Sequence, residues 1–308
     1  MYKAIDCSSK QEAIQILRNS LISSGKTLSS AINEKGLYFR VSIIGSCNLN
    51  CSFCHNEGAP HGSILNLSFA TSAIKSARNI GFTRVQFTGG EPLLNKQIVE
   101  YVLHAKNFIK DIGITTNGTN IKIYIQQLID VGLNRIHLSL QHESLSKRNN
   151  EWIIPDTVYT LIKYQHKINF RINLPVPVDE LKEAQTFIAK LHLLGCDVKV
   201  FLILPKKNQR KKVYPMNVLT EMIDEENKRS YITGRNGTVL IRKYLKPKGM
   251  RCNFCSNYKI CLEQSHSLRL GADRVLRPCL VDRSWDIILE EGNMHQLLEY
   301  ATILALDF

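Results

Sequence analysis

No stretch of about eighteen uninterrupted apolar residues occurs in this chain, which excludes a helical membrane span. The N-terminal run MYKAIDCSSKQEAIQ lacks the apolar core of a secretory signal, so the expected location is the cytoplasm. Internal repeats and low-complexity tracts are missing as well, and the composition is that of an ordinary globular protein. Acidic residues are in short supply, 27 against 40 Lys and Arg, for a formal net charge of +13. Such a surplus suits nucleic acid, the acidic surface of a flavodoxin-like or ferredoxin electron donor, or a phosphorylated substrate. Much of it is concentrated in Lys206-Lys207-Asn208-Gln209-Arg210-Lys211-Lys212, the pattern of a solvated loop. That run has none of the interleaved aromatics on which bases stack, which disfavours nucleic acid. With 308 residues and 44% hydrophobic content, the chain can bury a substantial core, as one large α/β domain with an appendage or as two domains.

What is present is cysteine, nine in all. In a long chain without an export signal, clustered cysteines read as metal ligands rather than as a disulfide framework. Cys7 and Cys196 stand apart from any Cys or His partner and read as ordinary thiols. The first cluster is Cys47-Asn48-Leu49-Asn50-Cys51-Ser52-Phe53-Cys54, directly after an apolar β-like run. A cubane iron–sulfur cluster ordinarily takes four Cys ligands, so a local trio either recruits a distant cysteine or leaves one iron open for chemistry. The spacing differs from the C-x₂-C-x₂-C run of ferredoxins and from paired CxxC zinc sites. The second cluster is Cys252, Cys255, Cys261 and Cys279, whose spacing alone suits a structural zinc site or a further iron–sulfur cluster.

Between residues 38 and 204, short β-branched runs alternate with helical patterns, as a parallel α/β architecture requires. Candidate strands are Tyr38–Ile44, Arg84–Thr88, Asp111–Thr115, Arg135–Leu140, Asn169–Leu174 and Asp197–Ile203. Helices are expected near 66–80, 95–108, 122–131, 156–166 and 178–194, several ending at Gly as a C-terminal cap should. Six such units predict an open, partial (β/α)6 TIM-type barrel, with its site on the loops at the carboxyl ends of the strands. The cysteine loop follows the first strand, Gly89-Gly90-Glu91-Pro92 the second and Thr115-Thr116-Asn117-Gly118 the third, while Ser139 ends the fourth. A helix is expected over Lys10–Ser23, and Leu268 to Pro278 reads as two short strands around a turn. The expected organisation is an N-terminal helical extension (1–35), a core (36–204) and a C-terminal auxiliary-cluster unit (205–308).

The cysteine loop, with Phe53 before its last cysteine, together with Thr88-Gly89-Gly90-Glu91-Pro92, resembles the radical S-adenosylmethionine (radical SAM) superfamily. The resemblance implies that Cys47, Cys51 and Cys54 hold a [4Fe–4S] cluster whose open iron chelates SAM. Reductive cleavage of SAM would then yield a 5′-deoxyadenosyl radical that abstracts hydrogen from a substrate. Phe53, Gly89, Gly90, Glu91, Pro92, Thr116 and Ser139 become cofactor-binding residues on this resemblance, with Glu91 accepting from the SAM amino group. The run Leu37 to Ser42, the segments FTGGEPLL and ITTNG, the strand Leu133 to Leu140 and LRLGADRVLRPCL also resemble the GTP 3′,8-cyclase family of molybdenum-cofactor synthesis and its relatives with shortened SPASM (Twitch) regions. That likeness implies a second, auxiliary [4Fe–4S] cluster at Cys252, Cys255, Cys261 and Cys279. It also implies substrate contacts from Arg40, Arg171 and Arg269.

The chain departs from that family at several points. Gln86 stands where an arginine is expected before TGGEP, Ser267 replaces a second C-terminal arginine, a fourth cysteine is available to close the auxiliary cluster, and the sequence ends Leu304-Ala305-Leu306-Asp307-Phe308 rather than in a Gly-Gly tail. The expectation is therefore a radical SAM enzyme for a small molecule other than GTP, a nucleotide, nucleoside or sugar. A SPASM-type peptide-modifying maturase is the alternative, since CxxC-x₅-C also resembles that group. A zinc-dependent nucleic-acid-binding protein is a third reading that leaves Gly89-Gly90-Glu91-Pro92 and the α/β alternation unexplained. Nothing in the sequence separates a ligand role from a structural one for His55, Asn56 and Glu57.

Overall fold

The computed structural model describes residues 7–52, 54, 57, 59–148, 151–177, 180–203, 230–234, 237–241, 267–279 and 282–306. Helices α1 (Cys7–Ser23) and α2 (Leu28–Lys35) precede the first strand. The α/β units follow in chain order: β1 (Tyr38–Ser42), α3 (Leu67–Ile80), β2 (Arg84–Thr88), α4 (Ile98–Lys106), β3 (Asp111–Thr116), α5 (Ile121–Asp130) and β4 (Arg135–Ser139). A two-stranded ribbon, β5 (Lys147–Arg148) and β6 (Glu151–Trp152), interrupts before α6 (Asp156–Lys163), β7 (Asn169–Pro177), α7 (Leu181–Leu193) and β8 (Asp197–Ile203). The remainder comprises β9 (Ser230–Gly234), β10 (Gly237–Ile241), β11 (Ser267–Leu270), β12 (Val275–Arg277), β13 (Ile287–Ile288) and α8 (Met294–Leu306).

The sheet order is β13-β12-β11-β1-β2-β3-β4-β7-β8-β10-β9. The six anticipated strands pair parallel and in sequence order through its centre, the arrangement of an open partial barrel. Parity explains why these runs make such a sheet. Phe39, Val41, Val85, Phe87, Ile112, Ile114, Ile136, Leu138, Ile172 and Leu174 are buried and share one core with the helices. The residues between them point to the opposite face and are largely polar. Within the core, the Phe39 and Phe82 rings lie 5.7 Å apart and Phe87 meets Tyr101 edge-on at 6.1 Å. Each such aromatic contributes about 1.5–3 kcal/mol by burial.

Local signals fix the helix ends. The Asn66 side chain accepts from Phe69 N to start α3, and Gly81, at φ 124°, closes it. In α2, Thr27 and Ser30 form a reciprocal capping box. The expected boundaries shift where other bonds compete. β1 stops at Ser42 because Ile44 bridges Ile64 instead, and α4 begins only at Ile98 because Glu91 caps a separate short turn over Pro92–Leu94.

The C-terminal segment contributes to the same sheet. β11 lies parallel to β1, with Arg40 opposite Arg269, and β12 turns back against β11. Helix α8 buries Met294, Leu298 and Ala301 to Leu306, and Arg18 of α1 pairs with Glu299 at 2.7 Å. Lys35, at the end of α2, donates to the terminal carbonyl of Leu306, as a cation at a helix C-terminus should. Among the described residues no helix is long and apolar enough to cross a membrane.

Candidate active site at the carboxyl ends of the strands

The cysteines sit on an excursion that leaves β1 and returns before α3. Its neck is closed by Leu65 N donating to Ile43 O at 3.1 Å and Gly45 N donating to Ser63 O at 2.8 Å. Beside it runs the loop after β2, with Gly90 N donating to Ile44 O at 2.7 Å and Glu91 N to Ser46 O at 2.8 Å. This approach requires glycine. A Cβ on Gly90 would fall inside contact with the Ser46 carbonyl and lie 2.9 Å from Cys47 N, all of it backbone. The double glycine therefore lays one strand-end loop directly on the root of the other.

Glu91 is almost wholly buried and acts as a brace between strand ends. Its Oε1 accepts from Leu93 N at 3.0 Å and from Thr116 Oγ1 at 2.6 Å, and its Oε2 accepts from Asn117 N at 2.7 Å. Burial pushes the Glu91 carboxyl upward, against the opposing pull of these three donors. Asn117 carries the chain of contacts to the cysteines. Its side-chain amide donates to Asn48 Oδ1 at 2.8 Å and points to Cys47 Sγ at 3.9 Å, while Asn48 donates to Thr119 Oγ1 at 2.8 Å. On the other side, Glu143, beyond β4, accepts from Ser52 N at 3.1 Å and from the Ser52 hydroxyl. Three neighbouring strand ends thus grip one short loop.

Cys47 and Cys51 are half-buried and Cys54 is exposed. Burial raises the Cys47 and Cys51 thiols, Cys51 to about 11, and the nearby Cys54 adds to both rises. Among the described residues no three His, Cys, Asp or Glu side chains gather tightly enough for a single metal ion. In a cubane each thiolate serves a different iron, so its ligands stand further apart than those of one ion. Three thiols on one braced loop fit such a cluster, which would hold them deprotonated, and Cys47, Cys51 and Cys54 are the residues that would ligate it. Phe53 lies outside the described residues, and so do Cys252, Cys255 and Cys261. Cys279 is half-buried beyond β12, its sulfur accepting from Asp282 N at 3.5 Å.

Inside the open barrel, the polar parity of the strands forms layers. Arg135 Nη2 donates to Gln86 Oε1 at 3.0 Å, Gln86 Nε2 donates to Thr115 Oγ1 at 3.0 Å, and Arg135 also pairs with Asp111. Gly113 lies beneath this chain, where a Cβ would crowd Gln86 and come within 2.8 Å of Arg135 Nη2. Gln86, the departure from the expected arginine, is thus a hub joining β2, β3 and β4. In the next layer Arg171 Nη2 meets His137 Nε2 at 3.1 Å. Burial first, and then Arg171 and Arg135, holds His137 well below the ordinary imidazole range, so the ring is neutral and accepts from the guanidinium. Arg40 and Arg269 converge on Glu57.

The structure therefore brings Cys47, Cys51, Cys54, Gly89, Gly90, Glu91, Pro92 and Thr116 to adjoining loops, with Ser139 at the end of β4 and Arg40, Arg171 and Arg269 on strands of the same sheet. Glu91 and Thr116 are bonded to each other. Sequence reasoning gave no role to Glu57, Asn117, His137 or Glu143. For His137 a signal existed, since it shares strand parity with Arg135 and Ser139. For Glu57 and Glu143 none did, because both act through loops that meet only in three dimensions.

Comparison with known proteins agrees with this geometry. Residues 41–183 match the model of the Radical SAM superfamily. A probable GTP 3′,8-cyclase of Methanococcus maripaludis is 27% identical over 270 residues, covering 79% of this chain and 84% of that protein. A probable GTP 3′,8-cyclase of Methanococcus aeolicus is 29% identical over 261 residues, covering 79% and 84%. Among solved structures, Streptococcus suis SuiB bound to S-adenosylmethionine superposes with a TM-score of 0.54 at 18% identity. The match covers 79% of this chain but 60% of SuiB, and it is a likeness of fold. The cysteine excursion, the Gly89-Gly90-Glu91-Pro92 loop and most of the parallel strands lie inside the span, residues 41–183, that matches the Radical SAM superfamily model.

Proposed function

We propose that the protein is a radical SAM enzyme acting on a small molecule, a nucleotide, nucleoside or sugar, in a biosynthetic pathway. The observation that carries this reading is the docking of Gly90 and Glu91 on the root of the cysteine loop, above a polar face rich in arginine. When bound, a reduced [4Fe–4S] cluster and SAM supply a 5′-deoxyadenosyl radical that takes hydrogen from the substrate. The chain's own part is to hold and orient. Cys47, Cys51 and Cys54 would ligate the cluster, with Asn117 and Glu143 fixing the loop that carries them. Gly89, Gly90, Pro92, Thr116 and Ser139, with Phe53, would border SAM, and Glu91 would keep the two loops at the spacing SAM needs. The core of apolar side chains beneath the face limits water access from below, which protects a radical from quenching.

The likeness to two probable GTP 3′,8-cyclases supports a nucleotide-like substrate, and Arg171 is the cation best placed to receive an anionic group. Gln86 and Ser267, in place of arginines, support a substrate other than GTP. On this reading Cys252, Cys255, Cys261 and Cys279 hold an auxiliary [4Fe–4S] cluster in a C-terminal unit, and an acidic flavodoxin or ferredoxin delivers electrons to a cytoplasmic enzyme. The test is iron and sulfide content with EPR of anaerobically reconstituted protein, against the C252A/C255A variant. About eight irons falling to about four, with a SAM-sensitive signal retained, supports both clusters. Zinc in the C-terminal set with about four irons removes the auxiliary cluster, and no iron at all removes the radical reading.

A further inference from the structure

Arg40 of β1 and Arg269 of β11 are register partners on neighbouring parallel strands. Such strands stand about 4.8 Å apart, so two guanidiniums there repel each other unless an anion joins them. Glu57 is that anion. Its side chain is 5% exposed, pairs with Arg40 through Oε1 and reaches Arg269 Nε with Oε2 at 3.3 Å. The carboxylate is delivered by the cysteine excursion, three residues after Cys54, and its backbone lies in the left-handed region at φ 49°, which glutamate seldom adopts. Arg40 is further tied by donation to Thr88 Oγ1 at 3.3 Å. Across the same sheet Arg171 Nε and Asn173 Oδ1 on β7 are also buried without a hydrogen-bond partner, and Arg171 Nη2 meets the His137 ring, with Asp197 its register partner on β8. No carboxylate from the cysteine excursion is seen to reach this side among the described residues. Buried polar groups without partners are the places a ligand satisfies.

We infer that Glu57 is a specificity determinant: by engaging Arg40 and Arg269 it bars an anionic substrate group from the β1–β11 side of the face and directs that group to Arg171 and Asn173 on β7. The part of the substrate that faces β1 and β11 is then uncharged. This inference rests on the proposed small-molecule site, but its test reads anion binding and is independent of SAM cleavage, which is measured separately on the same preparations. Calorimetric titration of the anaerobically reconstituted full chain with inorganic triphosphate compares wild type with R171Q, R40Q, R269Q and E57Q, each checked for folding by gel filtration and thermal melting. R171Q should weaken binding tenfold or more, and R40Q and R269Q should change it less than twofold. E57Q should tighten binding at least tenfold, and E57Q/R269Q should cancel that gain. A tenfold loss in R40Q or R269Q overturns the inference, as does a folded E57Q with no gain. Should E57Q fail to fold, the contrast between R171Q and the other two arginine variants decides the matter alone.

Discussion

The Asn117 side-chain amide points to Cys47 Sγ at 3.9 Å, so the loop after β3 touches the cysteine loop after β1. The same amide nitrogen donates to Asn48 Oδ1 at 2.8 Å, one residue along from that cysteine. An N–H group directed at a cluster thiolate favours the reduced, more negative state. Replacing Asn117 by Leu should therefore move the midpoint potential of the cluster to more negative values and hasten iron loss. EPR-monitored redox titration checks this, and an unchanged potential would mean that Asn117 only shapes the loop.

The two tight glycines differ in what crowds them, so their alanine variants should behave differently. At Gly90 the obstacles are the Ser46 carbonyl and the Cys47 backbone, which cannot step aside. G90A should cost about 3 kcal/mol and impair iron loading. At Gly113 the obstacles are the ends of the Gln86 and Arg135 side chains. G113A should cost about 1–2 kcal/mol, one lost hydrogen bond, and leave iron loading intact. Chemical denaturation with iron analysis on both variants makes the comparison.

Glu91 is placed to test bracing against cofactor contact. E91Q exchanges a carboxylate that accepts from Leu93, Thr116 and Asn117 for an amide with only one acceptor oxygen. The expected loss is about 2–3 kcal/mol, visible as a lower melting temperature even without SAM. A variant that melts like wild type but binds SAM poorly would assign Glu91 to the cofactor alone.

The buried, neutral His137 links stability to pH. The unfolded chain takes up a proton on this residue near pH 6.5, whereas burial and the Arg171 guanidinium keep the folded ring neutral to much lower pH. Acidification thus favours the unfolded state. Below about pH 6.5 the wild type should lose roughly 1.4 kcal/mol per pH unit relative to H137Q, until the folded-state ring itself titrates. Unfolding curves of both proteins between pH 5 and 8 give the difference directly, and parallel curves would mean that the folded ring titrates where the unfolded one does.

Much of the architecture is legible from strand parity and glycine punctuation. Arg84–Thr88 and Asp197–Ile203 coincide with their expected bounds, and α3 starts one residue from its expected place. The helix α8 escaped because its half from Ala301 to Leu306 is apolar but for Thr302 and has no amphipathic period to read. The insertion of β11 beside β1 escaped because pairing between residues more than two hundred positions apart leaves no local trace. At the site, motif spacing brought out Cys47, Cys51, Cys54 and the Gly89 to Pro92 loop. The carboxylates that organise them, Glu57 and Glu143, carry no spacing signature, because each is defined by what it meets across the mouth of the barrel.

The central claim is that this site cleaves SAM reductively, and formation of 5′-deoxyadenosine tests it most directly. Anaerobically reconstituted protein is incubated with a strong reductant and SAM, beside a C51A variant. Wild type should release 5′-deoxyadenosine over repeated turnovers or in a single slow one, and C51A should release none. Wild-type protein carrying about four or more irons that forms no 5′-deoxyadenosine would contradict the account.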